Sequence, residues 1–192
     1  MKKLTLLLAV AGFAFYASAQ TLPKPSPGAE VEQQVGATTI ELEYSRPGVK
    51  ERNIFGDLVP FNELWRFGAN SATTISTDHS LFFDGQELKE GTYSVFAIPG
   101  KRVWKIMFNT DKKASAESYS EANTVLTVEG KVYENSYTES LFIGFDDIKD
   151  ESASIVVLWD ETKVDIPFTV KTKENSMRNI ELAIKKGENL GS

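Results

Sequence analysis

The sequence predicts an all-β fold: an antiparallel β-sandwich of about nine or ten strands, followed by one C-terminal helix. Three observations carry this expectation. Apolar residues recur with period two in many short runs, as in Ile40, Leu42 and Tyr44 against Thr39, Glu41 and Glu43. Turn signals such as Pro47-Gly48, Asp84-Gly85 and Pro99-Gly100 separate the runs. Several runs have one wet and one dry face, as two sheets packed face to face require.

The elements follow in order. Val31, Gln33 and Val35 begin the alternation weakly, and residues 39–44 continue it strongly. Ser45-Arg46-Pro47-Gly48 breaks the strand, because proline has no N–H for the ladder. Residues 49–70 keep neither period and carry Phe55, Phe61, Trp65 and Phe67. They read as a long connection pinned by aromatics, with a short helix near Asn62 to Trp65. Strands resume at 73–77. Residues 81–83 and 86–88 form a hairpin around Asp84-Gly85, a pair that accepts the positive φ of a type I′ turn. Residues 92–98 are apolar on both faces and belong in the middle of a sheet. Residues 103–109 follow, then a polar loop over 110–123. Four more runs complete the set: 125–133, 140–145, 153–159 and 163–171. Pro167 places the last one at an edge. Residues 174–186 read as a helix ending at Gly187, with Met177, Ile180, Ala183 and Ile184 in one stripe. That stripe is expected to dock on the sandwich, or otherwise to meet another chain.

Residues 1–19 read as a signal peptide. Lys2 and Lys3 precede the apolar run Leu4–Phe15, and Ala17-Ser18-Ala19 resembles a cleavage site. The run is shorter than the ~20 residues of a membrane span. Residues 20–30 then form a proline-rich leader, 31–171 the sandwich and 172–192 the helical tail. Export to the periplasm or the exterior is the expectation. With no cysteine in the chain, disulfides, thiolate nucleophiles and cysteine-ligated metals are excluded. The 27 acidic residues outnumber 21 basic ones, for a net charge of −6 without a basic block. That balance argues against nucleic acid as a partner, since phosphate contacts supply most of such affinity. Oligomeric state is not legible at this level.

Some chemistry is excluded or weakened by the residues present. One histidine without cysteine cannot build a His-rich zinc site. His79, between two strands, reads as a surface turn residue, and Asp78 beside it is not expected to meet it in triad fashion. Asp146, Asp147, Asp150 and Glu151 lack the glycine and spacing of an EF-hand loop, and read as a solvated turn. No cofactor is implied. The 46–70 segment is the best binding candidate, through Arg46, Arg52, Glu63, Trp65, Arg66 and Asn70. Arginine forks grip carboxylates or phosphates, and aromatic faces take sugar rings. The competing reading is structural: the aromatics plug one end of the sandwich while the arginines tie loop carbonyls and carboxylates. A small ligand, glycan or partner bound without catalysis is the leading functional expectation. A glycan hydrolase using a carboxylate pair that includes Glu63, or an assembly module joined through the helix, are the alternatives.

Residues 43–75 also carry a resemblance. Tyr44-Ser45-Arg46-Pro47, Ile54-Phe55-Gly56, Leu58-Val59-Pro60, Trp65-Arg66 and Gly68-Ala69-Asn70 are similar to the signature of an uncharacterised bacterial family, domain-of-unknown-function family 2911. Gly91-Thr92-Tyr93, Ile98-Pro99 and Phe108-Asn109 extend the likeness over roughly residues 25–170. The resemblance implies an exported envelope protein of Gram-negative bacteria and transfers no activity or catalytic residue. The chain departs from the family pattern over 110–123, where Tyr119 alone matches. It also has Ser71 where many members carry a glutamate.

Overall fold

A computed structural model describes residues 23–190, with side chains through residue 187. The expected signal peptide and the start of the leader lie outside the described residues. Nine strands make up the fold: β1 Gly28–Val35, β2 Thr38–Ser45, β3 Thr73–Thr77, β4 Leu81–Phe83, β5 Gln86–Leu88, β6 Gly91–Ile98, β7 Val103–Asn109, β8 Thr124–Asp146 and β9 Ser152–Thr169. One helix, α1 Thr172–Leu190, follows. All pairings are antiparallel. The strand order is β1-β2-β3-β6-β7-β8-β9-β4-β5 in one continuous sheet.

That sheet folds over on itself. Inward residues of every strand share one core, from Val35, Ile40 and Leu42 through Tyr93 and Trp104 to Val164, Ile166 and Phe168. A single face can supply one shared core only if it curls round to meet itself. The seam shows directly beyond β2. Val49 N–H donates to Glu139 O at 2.7 Å, and Leu141 N–H donates to Pro47 O at 3.0 Å. The Pro47–Val49 stretch is thereby stitched to the middle of β8.

Several expectations change at their boundaries. β1 starts at Gly28, inside the stretch read as leader. The four final runs merge into two long strands of 23 and 18 residues. The apparent breaks are irregularities in the β8–β9 register, between Glu134 and Thr138 and between Thr138 and Phe142, with Asp160 at φ 56°. Such bulges bend a strand without ending it. Bent long strands can serve both layers of a folded sheet, which several short ones would otherwise do. Pro167 is not on an outermost strand. It lies between Asp165, paired with β8, and Thr169, paired with β4, where the ladder is interrupted.

The segment read as a polar loop over 110–123 covers a second, small core. Phe96, Met107 and Ala114 are buried there, with Leu64, Ala72, Ile98 and Tyr119 packed around them. The Tyr119 ring meets the Phe96 ring at 4.9 Å.

The helix departs most from expectation. It runs on through Gly187, and its stripe does not dock: Met177, Ile180 and Ile184 are each more than half exposed. Its attachment is polar. Thr172 Oγ1 donates to Asp150 O, Asn175 Nδ2 to Thr38 Oγ1 at 2.9 Å, and Arg178 pairs with both carboxylate oxygens of Glu90. Asn179 Oδ1 lies 3.1 Å from His79 Nε2. The opposite, polar side of the helix is therefore the side that faces the sheet.

Candidate functional site

The outer faces of β1, β2, β3 and β6 build a polar floor directly from strand register. Glu30 pairs with Glu43, Glu43 with Thr74, and Thr74 with Ser94. The neighbouring row is Glu32, Glu41, Ser76 and Thr92. Because side chains alternate along a strand, every member of both rows points away from the core. Ser76 Oγ donates to Thr92 Oγ1 at 3.0 Å. Carboxylate oxygens of Glu30, Glu41 and Glu43 all lie within 4.8 Å of one another. Like charges this close repel, and the Glu41 carboxyl is pushed above its ordinary value. Its hydrogen bond with Glu30 is the largest cause, followed by burial and the nearby charges of Glu30, Glu43 and Glu32.

Beside this floor opens a cleft of about 540 Å³. Glu30, Glu43, Ser45, Ser71, Thr74 and Lys112 are among its lining residues. Two walls flank it. The 110–120 loop brings Lys112 and is held where Ser94 Oγ donates to Asp111 O at 2.8 Å and Asp111 N–H donates to Asn109 Oδ1 at 2.9 Å. The chain entering β3 brings Ser71 and Ala72.

Two of the residues expected to bind ligand hold these walls in place. Asn70 is at φ 59°, and its Nδ2 donates to Ser26 O and to Ser45 Oγ, each at 3.1 Å. Arg66 Nη1 donates to Asn70 O at 2.7 Å. Its Nη2 lies 3.8 Å from Glu117 in the 110–120 loop, a long and exposed pairing worth little by itself.

The other four candidates lie elsewhere and do not line the cleft. Arg46 Nε donates to Leu141 O at 2.9 Å, with its guanidinium over the Phe142 ring. Arg52 donates to Val49 O and Gly48 O at 3.0 and 2.6 Å. Both arginines therefore secure the seam at Pro47–Val49. Trp65 is part of a ring cluster with Phe55, Phe67, Trp104 and Trp159, and its Nε1 donates to Gly68 O at 3.1 Å. Glu63 is exposed. The six side chains do not converge on one point.

His79 is a correction. It is 4% exposed, covered by α1, rather than a surface turn residue. Its Nδ1 does meet the neighbouring Asp78, at 2.9 Å. At Nε2 stands Asn179, where a catalytic array would place a hydroxyl. The Asp146–Glu151 turn is exposed, and Asp146 pairs with Lys163 at 3.3 Å.

The acidic floor was hidden in plain sight. Glu30 and Glu32 stand symmetrically to Glu43 and Glu41 about the Gly36-Ala37 turn. A tight hairpin read across that turn would have placed the four together.

A family model described as "Protein of unknown function (DUF2911)" matches residues 26–168. No curated protein and no solved structure matches the chain. Among the described residues, no helix is long and apolar enough to cross a membrane.

Proposed function

We propose, from the premise that this chain belongs to the DUF2911 family of proteins of unknown function, that it is a binding module whose ligand occupies the cleft over β1, β2 and β3. The observation that carries this reading is the register that sets Glu30, Glu43 and Thr74 side by side on the floor of one open space. Carboxylates accept hydrogen bonds and attract positive charge, and Ser45, Ser71 and Thr74 add hydroxyls. The ligand class that fits is small, rich in hydrogen-bond donors, and neutral or cationic, such as a saccharide or an amino sugar. Lys112 can donate to an ether or carbonyl oxygen of the same molecule.

Glycan hydrolysis through a carboxylate pair that includes Glu63 has less support, because Glu63 is exposed and does not line the cleft. Export fits the same reading. The apolar run Leu4–Phe15 followed by Ala17-Ser18-Ala19 supports work outside the cytoplasm.

The test is a calorimetric screen of the full chain against neutral sugars, amino sugars and sugar acids. Neutral or amino sugars should bind, and Ser71→Trp, which places a large ring at an exposed position of the cleft wall, should abolish the binding. Recognition of sugar acids alone, or binding unaffected by Ser71→Trp, would contradict the assignment.

A further inference from the structure

Two local departures from ordinary packing meet in the aromatic cluster around Trp65. Phe67 is 2% exposed and sits at φ 56°. That backbone region costs a bulky residue about 1–3 kcal/mol. The remaining non-glycine residues with positive φ are all polar or charged. Trp159 is 1% exposed, and among the described residues its Nε1 is the buried side-chain polar atom that finds no hydrogen-bond partner. An orphaned buried donor costs roughly 1–3 kcal/mol.

Both rings touch Trp65. The Phe67 centroid is 5.6 Å from it, and Trp159 stacks on it at 5.9 Å with 17° between planes. Trp104 lies 5.8 Å from Trp65. Phe55 closes the group, 5.0 Å from Trp104 and 5.9 Å from Trp159. Of these five rings, Phe55 and Trp65 reach solvent. Trp65 is fixed, by a pair of 2.8 Å backbone hydrogen bonds with Ala97 and by its Nε1 on Gly68 O. Phe55 lies in a short turn closed by Gly56 N–H on Val59 O and Val59 N–H on Ile54 O, each 2.9 Å, with its ring held by the ring contacts and Gly56 exposed at φ 99°. The partly exposed Phe55 ring contacts all three tryptophans. Strain and unsatisfied polar groups in one cluster are the kind of outlier that points to a site.

We propose that this cluster is a second binding site, for a flat apolar molecule one ring wide that carries a single hydrogen-bond acceptor. The molecule takes the place of the Phe55 ring, stacks among Trp65 and Trp104, and accepts from Trp159 Nε1–H. None of the five rings lines the cleft, so this site stands independently of the one above.

Acetophenone and ethylbenzene are the probes: they share shape and size, and only the ketone accepts a hydrogen bond. Each is titrated into the ¹⁵N-labelled full chain, and the indole N–H signals of its three tryptophans are followed. Acetophenone should shift the Trp159 indole signal saturably, and ethylbenzene should bind about tenfold more weakly, the worth of one hydrogen bond. Trp159→Phe keeps the ring and removes the donor, so it should erase the difference between the probes. Glu43→Gln, which alters only the cleft, should leave both titrations unchanged. Equal binding of the two probes, or an unmoved Trp159 signal, overturns the proposal. So does a Trp159→Phe protein that is more stable but keeps the ketone preference.

Discussion

Arg66 donates through Nη1 to the Asn70 carbonyl at 2.7 Å, and Asn70 in turn holds the chain entering β1 and the end of β2 through its Nδ2. The two residues make the border of the cleft a single hydrogen-bonded unit. In the proposed reading they act by fixing the walls, and neither lines the cleft itself.

Asn70 should be sensitive to isosteric change. Asn70→Asp keeps a residue suited to the φ of 59° but replaces a donor facing two oxygens with an acceptor, and should cost about 1–2 kcal/mol. Urea unfolding checks it. An unchanged stability would mean that the Nδ2 contacts do not form in solution.

The crowded floor predicts a pH-dependent gain from neutralising Glu41. Its carboxyl is raised in the fold, chiefly by the hydrogen bond with Glu30. Stability linked to a raised group is complete below its ordinary value of 4.5 and is lost as pH rises through the raised one. Glu41→Gln should therefore be more stable than the parent at pH 7, and the two should converge near pH 4. Thermal melts across that range decide it; an equal offset at both ends would remove repulsion as the cause.

Gly36 ties the β1–β2 turn to the helix. It sits at φ 57°, and a Cβ there would run into Thr172 Oγ1 and Asp150 O. Gly36→Ala should cost about 1–3 kcal/mol and loosen the start of α1. Faster amide exchange over residues 172–179 is the expected sign.

Polar attachment of the helix makes a contrast between neighbours. Asn179→Ala removes the contact with His79 and should speed exchange in the first two turns of α1. Ile180→Ser alters an exposed position and should change stability by less than about 0.5 kcal/mol. The reverse order would show that the apolar stripe, rather than the polar side, holds the helix.

Much of the fold was legible because one face of each strand is buried. Period-two alternation located β2, β7 and the end of β9, and the Asp84-Gly85 turn located β4 and β5, with both turn residues at positive φ. Ile40, Tyr93, Trp104 and Ile166 are all buried as that pattern requires. The two long strands were harder to see, because Glu134–Glu139 is polar. It contains neither glycine nor proline, so the chain bends there without stopping. The helix misled because an apolar stripe at helical spacing says which residues share a side, not which side meets the sheet. Asn175, Arg178 and Asn179, which do meet it, have no sequence signature as a docking face. The site was least legible of all. Arginines and aromatics drew attention to 46–70, yet most of those side chains satisfy loop carbonyls or pack among themselves. Glu30, Glu41 and Glu43 come together only through strand register, a property of pairing and not of any one segment.

The most direct test of the cleft is a ¹⁵N–¹H titration of the full chain with glucosamine, a donor-rich and cationic sugar. Saturable shifts should gather at Glu30, Glu43, Ser71, Thr74 and Lys112, leaving Arg46, Arg52 and Glu63 unmoved. Shifts centred on the 46–63 segment, or shifts at the cleft that persist undiminished in Glu30→Gln/Glu43→Gln, would contradict it.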